Sequence, residues 1–159
     1  TGCRNILFLG GPKGVYTTGE RLKGYRQALR EAEIPFQKEY ITYGAYSTAS
    51  GYERVRHIIE AYPETDAIFA GADTIAIGVL RALRELNIPV PGQVSVLGFD
   101  NIMLSADLTP TLTTVAQPIY EMGYRAARKL LALIGGDPEG AKSECMSTTL
   151  VQRESTRSR

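Results

Sequence analysis

The stretch Val94-Ser-Val-Leu-Gly-Phe-Asp-Asn101, continued by Leu108-Thr-Pro-Thr-Leu-Thr-Thr-Val-Ala-Gln-Pro118, decides how the rest of the chain is read. Val94 to Gly98 is a short apolar, β-branched run, the pattern of a buried strand. Gly98-Phe-Asp-Asn101 stops it and leaves the Asp100 carboxylate at its carboxyl end. Open α/β sheets bind their ligands along that edge.

Outward from this strand, the same alternation repeats. Asn5 to Leu9 is an apolar run closed by Gly10-Gly11-Pro12, which reads as a fully buried strand. Thr17 or Thr18 is placed to cap the helix that follows. Its apolar face is Leu22, Tyr25, Ala28, Leu29 and Ala32, near helical spacing, and Ile34-Pro35 ends it. Tyr40 to Tyr43 reads as a second strand. Ser47 or Thr48 starts a helix carrying Val55, Ile58 and Ile59, closed by Pro63. Ala67 to Ala70 is a third strand. Asp73 opens a helix with Ile77, Leu80, Leu83 and Leu86 on one side, broken by Pro89 and Pro91. After Pro118 comes a helix from Ile119 to Ile134, stopped by Gly135-Gly136, and Thr148 to Val151 is a last β-type run. Successive strand–helix units with short connections predict an α/β fold, a doubly wound and mainly parallel sheet flanked by helices.

The 159 residues fit one domain with a real core, and 43% hydrophobic with 22% charged residues is ordinary for a soluble globular chain. A net charge of +1 carries no nucleic-acid footprint. Arg153, Arg157 and Arg159 come closest to a basic cluster and read as a solvated tail. Cys3 and Cys145 have no metal or redox spacing, and idle thiols fit a reducing cytoplasm. No membrane-spanning segment or export signal is visible, so a cytoplasmic location is expected.

Catalytic and cofactor chemistry finds little support. The loop Gly10-Gly-Pro-Lys-Gly14 lacks both the Gly-Lys-Ser/Thr ending of a phosphate loop and the spacing of a dinucleotide fingerprint. A phosphoacceptor domain needs carboxylates where Gly10 and Gly11 stand. His57, the single histidine, lies between Arg54, Arg56 and Glu60 and reads as an exposed helix residue. Metal-ligand spacing is absent. No catalytic residue, metal or cofactor is expected. An enzyme of flavodoxin-like architecture remains the third-ranked alternative.

A binding constellation remains. In the expected sheet, Arg21, Tyr46, Asp73 and Asp100 fall at or just past the carboxyl ends of strands. An arginine offers a planar fork of donors, and a carboxylate accepts paired hydroxyl hydrogens. An aromatic face packs on a sugar ring or a base. These are the parts of a cleft for a small polar ligand. Asp73 has a second reading, as the N-cap of its helix.

Nearly the whole chain resembles the lactose-repressor/galactose-repressor (LacI/GalR) family of bacterial transcription regulators, which shares a fold with periplasmic sugar-binding proteins. The residues carrying the likeness are Arg4 to Gly11, Arg21-Leu-Lys-Gly-Tyr25 with Ala28-Leu29, Gly44 to Gly51, Ala70-Gly-Ala-Asp73 with Ala76-Ile-Gly78, Gly98 to Asn101, Thr113 to Pro118, and Leu150 to Thr156. The resemblance implies effector contacts at Arg21, Tyr46, Asp73, Asp100 and Gln117. The polar ligand contact often found just before the aspartate is replaced by Ala72. It also implies a homodimer formed partly through Ile77, Leu80, Arg81, Arg84, Leu104 and Leu108. Residues 1–116 and 145–156 correspond to the C-terminal subdomain of an effector-binding domain. Residues 117–135 correspond to a crossover and a helix of the other subdomain. In the family, a DNA-binding helix-turn-helix and the first half of the effector domain precede this region. The chain as given is therefore expected to offer one wall of a cleft for a sugar or nucleobase-like effector. Operator DNA is expected as a partner only through that N-terminal part. A periplasmic sugar-binding protein of a transporter is the alternative; the Thr113–Pro118 and Val151–Thr156 signatures favour the regulator.

Overall fold

A computed structural model describes residues 2–157. In chain order its elements are β1 (Ile6–Gly10), α1 (Tyr16–Glu31), β2 (Ile41–Tyr43), α2 (Thr48–Ala61), β3 (Ala67–Ala70), α3 (Asp73–Glu85), β4 (Ser95–Asp100), β5 (Thr113–Ala116), α4 (Ile119–Ile134) and β6 (Thr149–Val151). The described strands form one sheet in the order β2-β1-β3-β4-β5-β6. All neighbours run parallel except β5 and β6, which are antiparallel. α1 leads outward from β1 to β2, and α2 leads back past β1 to β3. The chain therefore leaves β1 and β3 in opposite directions, the switch point at which open α/β sheets form a crevice.

Strand periodicity divides the core. Leu7 and Leu9 face one side with Ile68, Ala70 and Val96, where they meet Val55, Ile58 and Ile59 of α2 and Ile75, Val79 and Leu83 of α3. Phe8 faces the other side and packs on Leu22, Tyr25 and Leu29 of α1. Cover on both faces is why β1 is apolar at every position rather than at alternate ones. α2 and α3 touch backbone to backbone. A side chain at Gly78 would lie 2.0 Å from the Thr48 carbonyl oxygen, and one at Gly51 would lie 2.2 Å from that of Ile75.

Several local expectations are corrected. α1 starts at Tyr16 after Val15, with no side-chain cap. Thr17 and Thr18 lie inside the helix and turn their hydroxyls to Tyr46 instead. Ala28 and Ala32 are exposed, so the buried stripe of α1 is narrower than its apolar pattern. The cap position of α3 is Ala72, not Asp73, whose carboxylate points toward β4 and β5. Tyr40 closes a 3-10 turn at Lys38–Tyr40, and β2 begins one residue later. Thr113–Ala116 is a full strand of the sheet. Ser47 does cap α2, accepting from the Ser50 N–H.

Arg153 and Arg157 do not form a solvated tail. Arg157 donates to the carbonyls of Pro91, Gly92 and Gln93, and Arg153 reaches Leu112 and Asn101. Sequence position hides this because both cations serve backbone carbonyls far away in the chain. Arg159 lies outside the described residues. Cys3 is partly buried, with its thiol on the Asp66 carbonyl; Cys145 is exposed. His57 is exposed. Among the described residues, no helix is long and apolar enough to cross a membrane.

α4 stands apart from this core. None of its described residues is buried, and it packs mainly on a 3-10 turn at Pro138–Ala141. Its polar side is stitched by Arg125 to Glu121 and Glu144. Ile119, Tyr120, Leu130, Leu131 and Ile134 are exposed on the rest of its surface.

Candidate functional site

The carboxyl edge of the parallel strands gathers Arg21, Tyr46, Asp100 and Gln117 from four different connections. Asp100 is the last residue of β4 and has φ of 120°, followed by Asn101 at 54°. Few residues other than glycine hold such a conformation without surrounding support. Support comes from three directions. The Ile102 N–H donates to Asp73 Oδ2 at 2.9 Å, and the Asn101 N–H donates to the Thr114 hydroxyl at 3.3 Å. That hydroxyl in turn donates to Asp73 Oδ1 at 2.6 Å. Arg153 holds the Asn101 side-chain oxygen at 2.8 Å.

Arg21 approaches from the first turns of α1. Its guanidinium lies 4.0 Å from the centre of the Phe99 ring, a cation–π stack. One end donates to the Gly71 carbonyl after β3, and the other reaches Asp100 Oδ1 at 3.3 Å. Arg21 therefore spans the switch point, tying the loop after β3 to the end of β4. Gln117, just past β5, donates to the same Asp100 oxygen at 2.6 Å. Burial pushes the Asp100 carboxyl above the usual aspartate range. Arg21 and Gln117 oppose that shift, and the nearby Asp73 carboxylate adds to it. The Asp100 side chain keeps 27% of its surface exposed, so it is reachable from the edge.

Tyr46 stands at the other end of the row, in the loop after β2. Its hydroxyl meets those of Thr18 at 2.7 Å and Thr17 at 3.2 Å. Its ring lies over Gly11, where a side chain would come within 2.1 Å of it. The ring is thus fixed between the loops that follow β1 and β2. It remains 36% exposed, which leaves aromatic surface for a flat or ring-shaped ligand.

Asp73 does not join this row. It is fully buried, and both carboxylate oxygens are already taken by Ile102 and Thr114. Gly98 makes room for it: a side chain there would meet Asp73 Oδ1 at 2.2 Å. Asp73 holds up the Asp100 turn from below. Sequence reasoning missed the other supports: Phe99 under Arg21, Thr17 and Thr18 on Tyr46, and Thr114 and Arg153 at Asn101. For the threonines a signal existed, since two adjacent hydroxyls in an uncapped first turn need a use. Arg153 gave none.

The residues expected at a dimer contact divide in two. Leu80 is buried, and Leu108 is partly buried against the same core. Leu104 is 48% exposed, Arg81 and Arg84 are exposed, and Ile77 is partly so. Arg81 is engaged within the chain, by Glu85 at 3.0 Å and over the Tyr52 ring. Among the described residues no cluster of histidine, cysteine, aspartate or glutamate is arranged to hold a metal ion.

An open parallel sheet with polar and aromatic groups converging at its switch point is the half-cleft of a small-ligand binding protein. Residues 1–156 match the periplasmic binding protein-like domain, and the chain belongs to that family. Its relatives are regulators of the LacI type. It is 34% identical over 155 residues to the HTH-type transcriptional regulator CelR of Thermobifida fusca, covering 98% of this chain and 46% of that protein. It is 36% identical over 154 residues to the repressor PurR of Photorhabdus laumondii, covering 97% and 45%. A solved CelR–cellobiose complex superposes with a TM-score of 0.88 at 34% identity, over 97% of this chain and 47% of that one. The lac repressor dimer bound to operator and the anti-inducer ONPF superposes at 0.89 with 26% identity, over 99% and 54%. The chain thus spans about half the length of the curated relatives it matches. These relatives are named as transcription regulators, not as enzymes.

Proposed function

We propose that this chain is the effector-binding and dimerisation part of a LacI-type transcriptional regulator. In the intact protein, a small polar effector, a sugar by preference and a nucleobase-like compound otherwise, binds at the edge formed by Arg21, Tyr46, Asp100 and Gln117. The observation that carries this reading is the Arg21–Asp100–Gln117 set, preorganised across the switch point with an aromatic ring beside it. The Asp100 carboxylate accepts hydroxyl or ring N–H hydrogens, and Tyr46 supplies a stacking face. The preference for a sugar is supported by the relative CelR, whose solved complex holds cellobiose.

Residues 117–135 fit the second lobe of the same cleft, which agrees with the exposure of α4. Effector binding then shifts the relation of the two lobes, and with it the DNA-binding heads, by differential affinity for the two states. A homodimer contact through Ile77, Arg81, Arg84 and Leu104, backed by Leu80 and Leu108, is part of this reading; that the similar lac repressor is solved as a dimer supports it. The relatives' names favour a cytoplasmic regulator over a transporter's binding protein.

The test is a thermal-shift screen with D-glucose, D-ribose, cellobiose, adenine and guanine, run on this chain and on the intact gene product. Ligand that binds only the folded state raises the melting temperature by mass action. A shift in the intact protein that Arg21→Ala and Asp100→Ala both abolish supports the assignment. A shift that both variants retain overturns it.

A further inference from the structure

The Leu150–Thr156 segment carries a motif that the proposed ligand contacts do not use, and its arginine is placed against them. Arg153 lies just beyond β6 and reaches the Asn101 side chain of the Asp100–Asn101 turn. Its backbone is fixed to β5 by the Thr113 hydroxyl, which accepts from the Arg153 N–H at 2.9 Å and donates to its carbonyl at 3.1 Å. The guanidinium then spreads over three neutral acceptors: the Leu112 carbonyl at 2.7 Å, Asn101 Oδ1 at 2.8 Å and, at 3.4 Å, the Ser105 hydroxyl. A planar fork serves several acceptors in fixed directions, which a single ammonium does not. The Ser105 hydroxyl itself donates to the Ile102 carbonyl. Arg153 therefore clasps both sides of a turn whose backbone is left-handed at two successive non-glycine residues.

We infer that Arg153 is a positioning residue for Asp100: by bonding Asn101 Oδ1 and bracing Leu112 and Ser105, it holds the Asp100–Asn101 turn in its left-handed form. Asp73 anchors the turn through the Ile102 N–H and, by way of the Thr114 hydroxyl, the Asn101 N–H; Arg153 anchors it through the Asn101 side chain. With the Arg153 anchor gone, Asn101 relaxes toward an ordinary backbone conformation, and Asp100 swings away from Arg21 and Gln117 into solvent. The inference rests on the reading of Asp100 as a ligand acceptor only for its functional meaning; the positioning itself is measurable without ligand.

The measurement is the 13C NMR titration of the Asp100 carboxyl in this chain, ligand-free, for wild type, Arg153→Gln, Arg153→Lys and Asn101→Ala. The charged groups facing Asp100 are Arg21 and Asp73, and neither is altered. Because burial is the largest influence on this carboxyl, release to solvent lowers its midpoint toward the ordinary aspartate value. Arg153→Gln and Asn101→Ala are each expected to lower it, with Arg153→Lys in between. In the Asn101→Ala background, Arg153→Gln lowers it by less than in wild type, since the Arg153–Asn101 bond is already gone. A folded Arg153→Gln chain with an unchanged Asp100 carbon shift and midpoint overturns the inference, because loss of stability alone leaves that signal in place. If Arg153→Gln does not fold, Asn101→Ala, which removes the bond and keeps a Cβ, decides alone, and an unmoved midpoint there is fatal. Failure of the ligand assignment is read separately, by Asp100→Asn retaining its thermal shift in the effector screen.

Discussion

Helix α3 buries eight of its thirteen residues, whereas among the sixteen of α4 no described residue is buried. Both are amphipathic by sequence. α3 is welded into the sheet and against α2, with glycine at the contact so that the backbones meet. α4 turns Ile119, Leu130, Leu131 and Ile134 outward. An apolar stripe of helical period states that a helix has a partner, not where the partner is. Here one helix finds it against the sheet and α2. The other presents surface of the kind that contiguous patches reserve for association.

Gly78→Val strikes hardest at the covered helix. The new side chain meets the Thr48 carbonyl, which is fixed within α2, so α2 and α3 must separate. We expect a loss of roughly 4 kcal/mol or outright failure to fold, read by urea denaturation. An almost neutral effect would mean that the α2–α3 contact is not close-packed. Asp73→Ala comes next. It leaves the Ile102 N–H and the Thr114 hydroxyl without their acceptor in a buried place, a loss of about 2–3 kcal/mol by the same assay. Tyr46→Phe removes only the bridge to Thr17 and Thr18, at about 1 kcal/mol. At the other end of the scale, Leu131→Ser on α4 should change the stability of this chain by less than about 0.5 kcal/mol. In the intact protein the same substitution should be clearly destabilising, and equal small effects in both would show that α4 has no partner there.

The Asp100 carboxyl adds a pH-dependent test. Burial raises it in the folded chain, so the folded state keeps its proton to higher pH than the unfolded chain does. The stability from that proton is present at low pH and is lost as pH rises through the raised folded-state value. Asp100→Asn removes this loss. The stability of the variant relative to wild type should therefore rise across that window, measured from urea midpoints at a series of pH values.

Much of the fold is legible in the chain. Continuous apolar runs at Asn5–Leu9, Ala67–Ala70 and Val94–Gly98, each followed by a helical pattern or a turn, specify parallel strands covered on both faces. Arg21, Tyr46, Asp73 and Asp100 are expected at or just past the carboxyl ends of strands; Arg21, Tyr46 and Asp100 line that edge, Asp73 is buried beneath it, and Gln117, which only the resemblance implied, bonds Asp100 there. Asp73 misleads because a helix-opening aspartate ordinarily caps its own helix. Here its carboxylate serves another strand's turn, a partnership 29 and 41 residues away in the chain. Arg153 and Arg157 resemble a tail for the same reason: their acceptors are carbonyls 41 and 64–66 residues distant.

What the chain settles alone is local: the periods of 2 and 3.6, the breaks at proline and glycine, and the residue types available for a polar ligand. These follow from nearest-neighbour sterics and side-chain chemistry, which the order of residues contains. Folding settles which carboxylate faces solvent and which is buried, what the terminal arginines hold, and which amphipathic helix is covered. Those outcomes depend on hydrogen-bond partners and packing surfaces brought together across tens of residues, and on desolvation, which exists only once the chain has closed around them.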